Sequence, residues 1–169
     1  MPDVPAKQQL AALIARYTPE VAARAHATLK TMRALLPGAV ELVYDNYNAT
    51  VIGFGPSERA SEAYFSVVLY PRWVTLFFLE GALLDDPKHL LKGNGKIVRH
   101  IVLEDDTTLD RPDVRALMAR AIAFADIPID PGQKRRIVVR AIAAKQRPRR
   151  PTAPKPASIS SSRRKRGKA

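Results

Sequence analysis

The sequence contains no cysteine, and this absence excludes several classes of protein at once. Without thiols the chain can form no disulfide, no thiolate metal site and no iron–sulfur cluster, and it has no cysteine nucleophile. A chain without cysteine fits a reducing compartment, so we expect a cytoplasmic protein.

Long hydrophobic runs are also missing. The best candidate, "WVTLFFLEGALL", is broken by Glu80 and Gly81 and stays short of the roughly 18 apolar residues that a membrane span requires. The first residues lack the basic start and apolar core of a secretory signal peptide. Both observations predict a protein without a membrane span.

Acidic residues are absent from the C-terminal part of the chain. Residues 134–168 hold 14 of the 28 Lys and Arg residues and no Asp or Glu, whereas residues 1–133 hold the other 14 and all 16 acids. The sequence therefore predicts a near-neutral folded domain, residues 1–145, followed by a disordered basic tail rich in Pro, Ser, Arg and Lys, residues 146–169.

A tail of this composition predicts contact with anionic partners. Lys and Arg on a flexible chain bind nucleic acid phosphates through counterion release, with little choice of sequence. A solubilising role, or contact with acidic proteins or membrane surfaces, is the alternative. The tail residues that we expect to contact nucleic acid are Arg147, Arg149, Arg150, Arg163, Arg164, Lys165 and Arg166.

Hydrophobic periodicity predicts two helices, then strands, then a third helix. Thr18-Pro19 begins the second helix, which Pro37-Gly38 ends, and Asp110-Arg111-Pro112 begins the third, with Asp110 as its cap. Alternating β-branched and aromatic residues between these helices predict strands, with a hairpin turn at Pro71-Arg72. Residues 136–143 favour a further strand over a short helix.

This order of elements predicts an α+β fold. Two helices, then a run of strands and then a helix are the element order of this class. Short connections between the strands favour a mainly antiparallel sheet with the helices packed on one face, in two layers.

No catalytic motif is visible in the sequence. No serine lies in a Gly-x-Ser-x-Gly turn. Gly93-Asn94-Gly95-Lys96 is followed by Ile97, where a phosphate-binding Walker loop needs Ser or Thr and then a helix. The sequence therefore favours a non-enzymatic protein, and an enzyme with an unrecognised pocket is the alternative.

The stretch "LLKGNGKIVRH" places glycine and asparagine directly before a strand. Both residue types tolerate positive φ, so Gly93 and Gly95 predict a tight turn. The alternative is an anion or ligand site formed by Lys96, Arg99 and His100. Strand alternation puts Arg99 and His100 on opposite faces, which makes their convergence on one ligand difficult.

Acidic and aromatic residues offer further candidate sites. Asp85, Asp86 and His89 could hold a cation if the glycine-rich turn brings them together, and a solvated loop is the alternative. The aromatic residues are mostly core material, but Tyr44, Tyr47 and Trp73 could line a pocket on an exposed sheet face.

The string "LFFLEGALLDDPKHLLKGNGKIVRHIVL" resembles the YdhG-like family of bacterial domains. The similarity covers roughly residues 20–150 and includes the end of the second helix and the first hairpin. The positions that match the family pattern are Phe77, Phe78, Gly81, Asp86, Pro87, Leu90, Leu91, Gly93, Gly95, Lys96, Arg99 and His100.

The resemblance implies a compact two-layer α+β fold similar to frataxin, and iron as a possible ligand. Iron binding of the frataxin type needs clustered carboxylates on an early helix, because hard iron ions favour oxygen ligands. Residues 20–36 instead carry Arg24, Lys30 and Arg33 against the single acid Glu20.

Two functions therefore remain as expectations. The first is a non-enzymatic module that handles a small ligand or a metal, iron by family resemblance, and carries a basic tail. The alternative is a nucleic-acid-associated protein that binds DNA or RNA through that tail.

Overall fold

The computed structural model describes residues 4–152, which form three α-helices and six β-strands in an α+β fold. The fold class predicted from the sequence is confirmed. The elements in chain order are α1 (Ala6–Ala15), α2 (Pro19–Leu35), β1 (Val40–Asp45), β2 (Thr50–Gly55), β3 (Phe65–Leu69), β4 (Val74–Phe78), β5 (Arg99–Leu103), α3 (Pro112–Phe124) and β6 (Arg136–Ile142).

The six strands form one sheet in the order β5-β4-β3-β2-β1-β6. Strands β1 to β5 pair antiparallel with their neighbours in sequence. The predicted turn at Pro71-Arg72 connects β3 to β4, and the Tyr70 amide donates a hydrogen bond to the Trp73 carbonyl across it at 2.9 Å. The predicted strand β6 is confirmed, but it pairs parallel with β1. The chain after Ile142 therefore leaves the sheet beside the end of β1.

The helices cover one face of the sheet. Alternation along the strands puts Ile52, Val67 and Leu76 on that face, where all are fully buried. They belong to one hydrophobic core with Leu29 of α2 and Leu117 of α3. The opposite face, which we call the open face, carries the residues between them in each strand.

Two helix starts test the predicted caps. The Thr18 hydroxyl accepts a hydrogen bond from the Val21 amide at 3.3 Å, so the cap of α2 is confirmed. The prediction that Asp110 caps α3 is wrong, because Asp110 lies in a 3₁₀ turn and Arg111 takes the cap position. Proline favours an extended residue before it, so Pro112 keeps Arg111 non-helical and fixes the start.

A buried ion pair joins α2 to β1. The Glu41 side chain is fully buried, and the Arg33 guanidinium donates to both of its oxygens, at 2.8 and 3.0 Å. A buried carboxylate needs such a partner, since an isolated buried charge is strongly unfavourable. Within residues 4–152, the helices are all too short or too polar to cross a bilayer.

Candidate functional site

A groove of about 900 Å³ lies on the open face of the sheet. Its base is formed by side chains of β2, β3 and β4, including Val51, Val68 and Phe77. The β1–β2 and β3–β4 turns form one end, and residues 147–152 form a wall. We call this cavity the open-face groove.

Another part of the open face, at the end of β2, is covered by the segment between β2 and β3. A Cβ built on Gly55 would lie 2.9 Å from the Cα of Ala63, so only glycine allows this segment to pack so closely. Gly53 also faces Ala63, and its nearest contact is the Ser66 hydroxyl at 3.7 Å. The groove and this segment therefore occupy different parts of the open face.

Aromatic rings provide most of the flat surface in the groove. Tyr70 and Trp73 pack at 5.4 Å between ring centroids, tilted by 37°. The Arg147 guanidinium lies over the Tyr47 ring at 5.4 Å. Trp73 and Tyr47 are 44% and 43% exposed, so their rings remain open to a ligand. The sequence favoured the core for these residues and gave a pocket as the alternative, and the structure places Tyr47 and Trp73 in the groove lining but not Tyr44.

The charge of the groove has one sign. Its lining includes Arg72, Arg147 and Arg150 and, in the part of the chain that the structure describes, no Asp, Glu or His. Ten of the fifteen arginines in residues 4–152 form an ion pair with an acid, but none of these three does. The groove therefore offers flat apolar surface next to uncompensated positive charge.

Residues 146–152, which we call the strap, lie against the domain and differ from the prediction of a disordered tail beginning at residue 146. Gln146 donates to the Asp45 carboxylate, and the Arg147 amide donates to the Tyr47 carbonyl at 2.9 Å. Arg149 is 4% exposed, so it is unavailable for the predicted contact with nucleic acid. Arg147 and Arg150 are exposed in the groove, and residues 163–166 lie outside the described residues.

Asp45 holds the strap in place. This carboxylate is fully buried at the end of β1, and the Arg149 guanidinium donates to it at 2.9 Å. Arg16, which directly follows α1, adds a second ion pair at 3.0 Å, and the Thr50 hydroxyl donates at 2.7 Å. Arg149 also donates to the backbone carbonyls of Asn46 and Tyr47, so it ties the strap to the β1–β2 turn.

The surroundings of Asp45 stabilise its charged form. Burial raises the pKa of the Asp45 carboxyl, but hydrogen bonds from Thr50 and Gln146 and the charges of Arg149 and Arg16 outweigh it, so the pKa lies below its ordinary value. Burial raises the pKa of the neighbouring Tyr17, whose hydroxyl lies 2.8 Å from the Thr50 hydroxyl. The cluster is therefore a structural ion-pair network, outside the groove lining.

The predicted anion site at Lys96, Arg99 and His100 is not brought together. Arg99 pairs with Phe78 and His100 with Phe77 in the β4–β5 register, so their side chains lie on opposite faces, as alternation predicted. The Arg99 guanidinium donates to the carbonyls of Gly95 and Val98 in its own turn. His100 packs on Phe77 at 5.3 Å, which places it beside the groove but outside its lining.

The predicted turn before β5 is confirmed at Gly93, which has a φ of +114°. Asp86 organises the preceding loop, because its carboxylate accepts hydrogen bonds from the amides of Leu90 and Leu91 at 3.0 and 2.9 Å. Asp85 and His89 are exposed. Within residues 4–152, these side chains do not join a group of three or more that could hold a metal.

Sequence reasoning named Arg147 and Arg150 only as residues of a disordered tail, and it missed Arg72 and the structural role of Arg149. One signal was available: Asp45 ends an apolar strand, and an acid there requires a cation if it is buried. Nothing in the sequence pattern pointed from Asp45 to a residue 104 positions later.

Comparison of the chain with protein-family models, with curated proteins and with solved structures gave no significant match. The resemblance to the YdhG-like family therefore stays a prediction.

Proposed function

We propose that this protein is a non-enzymatic module that binds a small anionic ligand with a flat ring in the open-face groove. The observation that carries the proposal is the lining itself, in which aromatic rings lie beside three arginines that have no acid partner within residues 4–152. A ring can stack on Trp73 while a phosphate or carboxylate pairs with the arginines.

The lining supports binding rather than catalysis. General acid–base chemistry needs a group that gains and loses a proton near neutral pH, usually His, Asp or Glu. None of these residue types lines the groove within residues 4–152. Arginine stays protonated, so it can bind and orient an anion but does not act as a base.

Trp73 allows a direct test, because it is the only tryptophan in the sequence and it lines the groove. We expect AMP and UMP to change its fluorescence in a saturable way. Adenosine alone and inorganic phosphate alone each satisfy half of the site and should bind more weakly.

Arg147→Gln provides the matched variant, since it removes a groove charge from an exposed side chain. It should weaken AMP binding, whereas Arg59→Gln, at an exposed arginine outside the lining, should not. Absence of a saturable change with both nucleotides at millimolar concentration would show that the proposal is wrong.

A further inference from the structure

The natural occupant of the groove can be specified further. We propose that the open-face groove binds single-stranded nucleic acid. This inference rests on the proposed function, because it assigns the ligand class of the same groove.

The shape of the groove suits a polymer. Its volume of about 900 Å³ lies near the upper end of the range of about 300–1,000 Å³ for small-molecule pockets. It is also an open depression on a sheet face, so a chain can enter and leave it. Single strands bind other proteins on sheet surfaces in this manner, with bases stacked on exposed aromatic rings.

Two separate stacking positions line the groove. Trp73 and Tyr70 form one at the β3–β4 turn, and Tyr47 with Arg147 forms the other at the β1–β2 turn. Stacking on such rings tolerates every base, because every base has a π-face. Two positions at different turns fit successive bases of a strand better than the single ring of a small ligand.

Charge complementarity selects an anionic occupant. Arg72, Arg147 and Arg150 have no carboxylate partner among the described residues, and no acid shares the lining. A phosphate backbone supplies a negative charge at every nucleotide, so it can pair with arginines along the groove.

The sequence beyond the groove has the same charge. Pro151 and Thr152 line the groove, and residues 153–169, which follow directly, include six Lys and Arg and no Asp or Glu. Like charge disfavours this segment as the occupant of the groove. An anionic strand, in contrast, is attracted by the positive charge of the groove.

Stacking and charge together distinguish a single strand from other anions. The bases of a duplex are already stacked and paired, so the groove aromatics cannot reach their faces. An acidic peptide would pair with the arginines but would leave Trp73 and Tyr47 without flat partners. A single strand uses both features of the lining.

The test is fluorescence anisotropy of the full-length chain with a labelled oligo(dT) and an oligo(U) of about ten nucleotides. We expect saturable binding of both strands and much weaker binding of the matching duplex. If only the three groove arginines contact phosphates, a plot of the logarithm of the association constant against the logarithm of the salt concentration should have a slope of about −2. Contacts from the basic tail would make this slope steeper.

Substitutions separate the two features. Trp73→Ala should weaken strand binding about tenfold with little change in the salt slope, because it removes stacking and no charge. The double variant Arg72→Gln/Arg147→Gln should weaken binding and reduce the slope by about 1.4. Replacement of Arg163, Arg164, Lys165 and Arg166 by Gln should also reduce the slope while the effect of Trp73→Ala persists.

Several outcomes would overturn the inference. The inference is wrong if the duplex binds with the same affinity as the single strand, or if poly-glutamate competes equally well. It is also wrong if strand binding is insensitive to Trp73→Ala and to substitution of the groove arginines. If AMP binds in the groove but the strand binds no more tightly than AMP, the inference fails and the proposed function stands. If neither AMP nor the strand changes Trp73 fluorescence, both fail.

Discussion

The Arg149 guanidinium donates to the Asp45 carboxylate at 2.9 Å, with side chains 2% and 0% exposed, across a separation of 104 residues. This contact joins the strap to the end of β1. Because Arg147, Pro148 and Arg150 flank Arg149 and line the open-face groove, the buried ion pair fixes one wall of the candidate site.

Removal of the positive partner should destabilise the domain. Arg149→Met leaves the Asp45 charge buried with fewer compensating groups, and such truncations typically cost about 3–5 kcal/mol. Arg16 and Gln146 still contact Asp45, so we expect about 3 kcal/mol. The measurement is the free energy of unfolding in urea.

The double variant Asp45→Asn/Arg149→Met is the control for this effect. It removes both charges, so its loss of unfolding free energy should be smaller than the sum of the losses in the two single variants. A single Arg149→Met variant within about 0.5 kcal/mol of the wild type would contradict the structural role of the pair.

The low pKa of Asp45 predicts a dependence of stability on pH. A carboxyl with a lower pKa in the folded state stabilises the fold above its unfolded pKa of about 3.9, and this stabilisation is lost as pH falls through the folded pKa. The difference in unfolding free energy between the wild type and Asp45→Asn should therefore narrow below about pH 4. A constant difference between pH 7 and pH 2.5 would contradict this prediction.

Local patterns allowed much of the fold to be predicted. The Thr18-Pro19 helix start, the hairpin at Pro71-Arg72 and the strand at residues 136–143 depend on interactions between residues close in sequence. The parallel pairing of β6 with β1 depends on how α3 packs, which no local pattern contains.

The candidate site could be predicted only in part. The sequence offers Tyr47 and Trp73 as pocket residues only as an alternative to the core, because most aromatic residues of a strand-rich chain are buried. The composition of residues 146–152 favours disorder, and the hydrogen bonds of Gln146, the Arg147 amide and the buried Arg149 override it. Arg72 comes from the β3–β4 turn, whereas Arg147 and Arg150 come from the strap, so only the folded chain brings the three together.

Two glycines in the turn before β5 provide a matched pair of substitutions. Gly93 has a φ of +114°, a conformation that is strained for other residues, so Gly93→Ala should cost about 1–3 kcal/mol. Gly95 has no positive φ, and a Cβ there would meet only the Val98 carbonyl at 3.7 Å. Gly95→Ala should change the unfolding free energy by less than about 0.5 kcal/mol. Equal effects of the two substitutions in urea unfolding would contradict this reading of the turn.

The strap should also control ligand affinity from outside the groove. Arg149 does not line the groove, but its loss should free the strap for part of the time and so lower the fraction of molecules with a complete wall. Apparent affinity falls with that fraction, so Arg149→Met should weaken AMP binding about fivefold or more.

Arg33→Met is the matched control for this coupling. It breaks the buried ion pair with Glu41 and should lower the free energy of unfolding by a similar amount, about 3 kcal/mol. The strap and the groove keep their contacts in this variant. AMP binding followed through Trp73 fluorescence should therefore be unchanged in folded Arg33→Met protein. If both variants weaken AMP binding equally, general destabilisation explains the loss, and the strap has no specific role. If only Arg149→Met weakens it, the buried contact with Asp45 positions the wall that the ligand requires.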